Sequence, residues 1–106
     1  MKILFDQGTP VPLRRALPPD SVTTVYEQGW STLQNGQLLA RAEQAGFDVF
    51  ITTDQNLKYQ QQITGRHLAI FVLGSTSWPR IKPHSDIIRQ LIDQLAPGTY
   101  QEFPVP

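Results

Sequence analysis

Apolar residues fall in four short runs along the chain, at 2–5, 21–26, 48–53 and 68–73, each bounded by turn-forming or charged residues. Short runs rich in Ile, Val, Phe and Thr read as strands. The runs at 48–53 and 68–73 are apolar at consecutive positions, which predicts strands buried on both faces. In residues 21–26 alternation leaves two choices of core face: Val22, Thr24 and Tyr26, or Thr23 and Val25.

Between these runs the period lengthens to that of a helix. Thr9 and Pro10 predict an N-cap and a first helical position, followed by Leu13, Ala16 and Leu17 on one face, with Arg14 and Arg15 outside and Pro18-Pro19 as the stop. Leu38, Leu39, Ala42 and Ala45 predict a helix over 35–45 that closes at Gly46. Residues 55–64 read as a polar helix anchored by Leu57, Ile63 and Tyr59. Residues 85–95 form the last amphipathic stretch, with Ile87, Ile88, Leu91, Ile92 and Leu95 expected inward. Pro97-Gly98 breaks it, and 99–103 reads as a short edge strand.

Strand and helix therefore alternate. That order predicts one α/β domain over 1–106, a three-layer α/β/α arrangement around a mostly parallel sheet. A strand order of 2-1-3-4 puts the switch point between the first and third strands, where open sheets bind ligands at their carboxyl ends. Asp6 and Asp54 stand at those two ends.

Composition narrows the chemistry. The chain has 106 residues, too few for a second core. It has no cysteine, which removes disulfides, thiolate zinc sites and thiol nucleophiles, and fits a cytoplasmic setting without requiring one. Nine basic and nine acidic residues cancel, so a nucleic-acid substrate would have to be met by a local patch. No leader is expected, because Met1 runs straight into the first strand, and no apolar stretch nears the ~20 residues of a membrane helix.

Two carboxylates in one crevice call for a cation or a raised pKa. Asp6 and Asp54 are thus candidate metal ligands and catalytic residues; each could instead stabilise its own turn or cap the helix that follows. Asn35 and Asn56 could offer neutral oxygens, although Asn35 also reads as a helix N-cap. Glu43 falls at the margin of its helix stripe and reads as a solvated flank residue. Hydroxyls at Thr52, Thr53, Ser75, Thr76 and Ser77 could meet water or phosphate, or cap backbone groups. Lys58, one turn beyond Asp54, could meet a phosphate or stay solvated; Thr53, Lys58 and Ser75 are the candidate substrate contacts. His67 and His84 read as surface residues, and there is no glycine-rich phosphate loop, nucleophile elbow or zinc spacing.

The opening KILFDQGTP resembles the "(F/I)LxDENLP" start of the small PIN-like proteins of the DUF5615 family, relatives of the Mut7-C and VapC-type ribonuclease toxins. Residues 47–57, ending TTDQNL, are similar to its "hVhhTxDxDF" segment, and residues 35–46 to its "DEEILEYAxxxG" helix. The resemblance covers residues 1–75 with order and spacing kept. It implies a PIN-like fold, an acidic centre binding Mg²⁺ or Mn²⁺, and cleavage of RNA. Asp6 and Asp54 match acids of the family's first and third blocks, while Asn35 and Asn56 stand where it has acids, and Gln7 where Glu is usual. Fewer charges weaken a two-metal mechanism and leave a one-metal mechanism, since Mg²⁺ is often held by one or two carboxylates with water and substrate phosphates.

The expected function is a metal-dependent ribonuclease, with an antitoxin as a possible partner if the chain is a toxin. A catalytically silent PIN-like interaction module is the alternative, favoured by the amides at 35 and 56. A receiver-like or phosphatase-like domain is a third class, but strand 4 ends in Gly74-Ser75 and offers no strand-end lysine. Trp30, Trp78 and the proline-rich tail could support a homodimer or pack against the core.

Overall fold

The computed structural model describes residues 1–60 and 65–106, apart from the side chains of Tyr59 and Gln60. Five strands, β1 (Ile3–Phe5), β2 (Val22–Thr24), β3 (Val49–Thr52), β4 (Ala69–Leu73) and β5 (Tyr100–Phe103), form one sheet in the order β2-β1-β3-β4-β5. Every neighbouring pair is parallel. The order reverses between β1 and β3, as the sequence predicts, and 99–103 does add an edge strand.

Strand periodicity splits the core in two. Ile3, Phe5, Val49, Ile51, Ala69, Phe71 and Leu73 face one layer, built from Leu13, Leu17, Ile81, Ile88 and Ile92. Leu4, Phe50, Ile70 and Val72 face the other, with Leu38, Leu39 and Ala42 of helix α1 (Asn35–Gln44). Along β2 and just past it both faces are used: Val22 packs against the first layer and Val25 is buried in the second, while Tyr26 is 79% exposed.

Local chemistry sets the helix ends. Gln34, not Asn35, is the N-cap of α1: its side chain accepts from the N3 backbone while the Gln37 side chain accepts from the Gln34 N–H. Asn35 is therefore the first helical residue, a correction to the capping role expected of it. Gly46 adopts φ 82° just past the end, a conformation that costs glycine little. The Lys2 ammonium donates to Ala45 O at 2.7 Å, placing a cation at the negative end of the helix dipole.

The segment after β1 is a 3₁₀ helix, Val11–Ala16, with Pro10 rather than Thr9 at its cap. Thr9 is buried instead, its hydroxyl donating to Ile51 O at 3.0 Å. Helix α2 (Leu57–Gln60) opens the polar stretch after β3; residues 61–64, with the expected anchor Ile63, and the Tyr59 side chain lie outside what the structure describes. Helix α3 (Trp78–Ile81) and a 3₁₀ turn, Lys82–His84, lead into α4 (Ser85–Asp93). Ile88 and Ile92 of α4 are buried, but Ile87 is 48% exposed, against expectation. One residue turns a helix by about 100°, so Ile87 falls outside the face set by Ile88 and its i+3, i+4 and i+7 neighbours. Among the described residues no helix is long and apolar enough to cross a membrane.

Candidate active site

The ladder between β1 and β3 pairs Leu4 with Phe50 and Phe5 with Ile51. One step further it brings Asp6 beside Thr52, and the Asp6 N–H still donates to Ile51 O at 2.9 Å. Asp6 continues the side of the sheet set by Leu4, and Thr52 the side set by Phe50, so both side chains stand on the α1 face. The fully buried Thr52 hydroxyl donates to Asp6 Oδ2 at 2.8 Å. Thr52 Oγ1 in turn accepts the Asp54 N–H at 3.1 Å. One buried hydroxyl thus links the two strand-end acids.

Helix α1 completes the group. Its first residue, Asn35, donates from Nδ2 to Asp54 Oδ2 at 3.2 Å. A carboxylate at position 35 would repel Asp54 there; the amide binds it. Asp54 Oδ1 accepts the Asn56 N–H at 3.0 Å, and Asp6 Oδ1 accepts the Gln7 N–H at 2.9 Å. All four carboxylate oxygens therefore accept one hydrogen bond, two of them from the backbone of their own turns. The turn-stabilising reading of both acids is therefore part of the geometry.

A carboxylate oxygen offers about two lone-pair sites, so each still has a position for a cation or a water. Among the described residues no three His, Cys, Asp or Glu side chains converge. A hard divalent ion at this edge would rest on Asp6 and Asp54, with amide oxygen, water and substrate phosphate making up the rest, a set that fits Mg²⁺ or Mn²⁺.

Gly8 fixes how closely the loop after β1 approaches. A Cβ there would lie 2.4 Å from Thr53 Oγ1, so the loop packs directly against Thr53. The other candidate contacts are engaged differently. Lys58 Nζ pairs with Glu102 Oε1 at 3.1 Å, bringing it to β5. Ser75 Oγ accepts the Ser77 N–H at 3.0 Å, in the turn that leads into α3. Glu43 lies 3.7 Å from Arg66, and the His84 ring meets Phe103 edge-on at 6.0 Å. Trp30 packs edge-on against Phe47 at 6.0 Å, and Trp78 packs against the core, so both tryptophans are packing residues.

On the other side of Asp6 lies a feature the sequence reading did not single out. A cleft of about 500 Å³ runs from Asp6 past Thr9, Val11 and Val25 to Tyr26 and the Arg14–Glu27 pair. That pair also covers the free edge of β2. Arg14 donates to Val22 O at 3.3 Å and Glu27 Oε1 accepts the Thr24 N–H at 2.9 Å, which occupies groups an incoming strand would use. The hydrogen bond from Arg14 holds the Glu27 carboxyl below its ordinary value, helped by the Thr24 N–H. Only the fold brings 14, 22 and 27 together; no spacing in the sequence marks them. No family model, no curated protein and no solved structure matches this chain.

Proposed function

We propose that the carboxyl edge between β1 and β3 is a metal-dependent phosphodiesterase site acting on RNA, in the cytoplasm. The observation that supports it most is the Thr52 hydroxyl joined to both the Asp6 carboxylate and the Asp54 backbone, which ties together the two turns that carry the acids at the switch point. The resemblance of residues 1–75 to PIN-like ribonucleases supplies RNA as the substrate and extends the proposal to a toxin with a cognate antitoxin.

Asp6 and Asp54 would hold the ion, with the Asn35 side-chain amide and the Asn56 backbone N–H beside the Asp54 carboxylate. When bound, Mg²⁺ or Mn²⁺ neutralises phosphate charge and makes water a better nucleophile. Thr52 keeps Asp6 Oδ2 directed along the sheet edge, and Asn35 does the same for Asp54 Oδ2. Preorientation of this kind saves the carboxylates from reorganising during reaction.

The test is cleavage of a broad panel of RNAs in millimolar Mg²⁺ or Mn²⁺ by the wild type, Asp6→Asn and Asp54→Asn, with melting temperatures measured beside each. Cleavage by the wild type alone, with all three proteins folded, is the expected result. Activity retained in either variant would remove the assignment.

A protein donor already on each of the four carboxylate oxygens favours one other reading, a silent module that keeps the fold for binding. It expects no cleavage anywhere in the panel and no metal-dependent rise in melting temperature.

A further inference from the structure

Four large hydrophobic side chains stand exposed among the described residues, and two of them, Val11 and Tyr26, line the cleft that ends at Asp6. Tyr26 is the most exposed of the four and their one aromatic. It is held by backbone: Gly29 N–H donates to Tyr26 O at 3.0 Å, and Trp30 N–H to Val25 O at 3.0 Å. The ring is thus presented on a hydrogen-bonded turn. The cleft has buried residues beneath it, Thr9 and Val25, and about 500 Å³ of space, within the ~300–1,000 Å³ usual for small-ligand sites.

An apolar trough with an exposed aromatic suits a flat, neutral, stacking group. A phosphate would meet acidic Asp6 at one end and Glu27 at the other, with the Arg14 guanidinium already committed to Glu27. A nucleobase meets neither objection, and every base offers a π-face to an aromatic side chain.

We infer that the Val11–Tyr26 cleft is a base-binding subsite for single-stranded RNA, in which a nucleobase stacks on Tyr26 while its phosphate stays in solvent outside the cleft. The inference rests on the RNA reading above and adds to it the strandedness of the substrate and the residue that grips it. It places the nucleotide on the β2 side of Asp6, away from Lys58 and Ser75. In a duplex the bases are already stacked on each other, so Tyr26 gives duplex RNA no advantage.

The experiment measures anisotropy of a labelled single-stranded RNA of ~10 nucleotides, a length in the range of single-strand sites, without divalent metal. Wild type, Tyr26→Ala and Tyr26→Phe are compared, with the same strand annealed as a duplex. Loss of one stacked base weakens binding by roughly 5- to 150-fold. We expect that loss in Tyr26→Ala, near-wild-type binding in Tyr26→Phe, weaker binding of duplex, and unchanged melting temperatures. Wild type that fails to bind the single strand, or binds duplex equally well, overturns the subsite; so does equal binding by Tyr26→Ala. Adding Mg²⁺ or Mn²⁺ separates the two ideas. Tyr26-dependent binding without cleavage keeps the subsite and removes the nuclease. Cleavage with unchanged KM in Tyr26→Ala keeps the nuclease and removes the subsite.

Discussion

The Thr52 hydroxyl donates to Asp6 Oδ2 at 2.8 Å from a position fully shielded from solvent, and so fixes the end of β1 to the end of β3. Thr52→Val keeps the shape and removes the hydroxyl. It takes the donor from Asp6 Oδ2 and the acceptor from the Asp54 N–H together. Asp6 and Asp54 are only partly buried, so each bond contributes about 0.5–1.5 kcal/mol net. Thr52→Val should lose both contributions in urea unfolding, and Thr52→Ser distinctly less. Equal stability of Thr52→Val and wild type would show that neither bond matters.

If Asp6 and Asp54 bind a divalent ion, the ion stabilises the folded state by mass action. At ten times its dissociation constant the gain is about 1.4 kcal/mol, which for a domain of this size is a rise of several degrees in melting temperature. Millimolar Mg²⁺ or Mn²⁺ should raise the wild type, and Asp6→Asn and Asp54→Asn should not respond. A rise that persists in both variants would place the ion elsewhere.

Gly8 tests the close approach of loop to strand. Its Cβ position lies 2.4 Å from Thr53 Oγ1, and no positive φ adds to the strain. Gly8→Ala should destabilise by about 1–3 kcal/mol, as overpacking does. Thr53→Ala in the same chain should recover most of the loss, measurable as a coupling energy in a double-mutant cycle. Additive single effects would contradict the contact.

Glu27 gives a pH dependence. Arg14 and the Thr24 N–H lower its carboxyl pKa in the folded state below the ordinary 4.5. The unfolded chain then binds a proton at a pH where the folded one does not. The stabilisation is present above the ordinary value and is lost as pH falls through the lowered one. Urea midpoints followed from pH 5 to 3 should fall less steeply for Glu27→Gln than for wild type. Parallel curves would mean that Arg14 and Glu27 do not interact in solution. Glu27→Ala removes the acceptor of the Thr24 N–H and so exposes the edge of β2; its self-association by light scattering should exceed that of the wild type.

Helix α4 separates pattern from packing. Ile88 is fully buried and Ile87 is 48% exposed. Ile88→Ala should cost about 2–5 kcal/mol and Ile87→Ala about 0.5 kcal/mol or less. Similar losses in thermal unfolding would mean that Ile87 is covered, by a second copy of the chain or another partner.

The apolar runs determined the strands, because a segment such as Val49–Thr52, apolar at consecutive positions, is satisfied only where both faces are covered. Strand–helix alternation then determined the parallel order, since each return to the sheet needs a crossover. The position of Asp6 and Asp54 at the switch point follows from those two facts. What the sequence left open depends on groups far apart in the chain. Whether Val25 or Tyr26 turns inward rested on which face of β2 the 3₁₀ helix and α1 left to be covered. That Asn35 donates to Asp54 rather than capping α1 required the helix to dock over β3, with Gln34 and Gln37 already capping it. The meeting of Thr52 with Asp6, the Arg14–Glu27 cover on β2 and the Tyr26 cleft came only with register and packing. Local propensity acts over a few residues, whereas these contacts join residues between 8 and 46 positions apart.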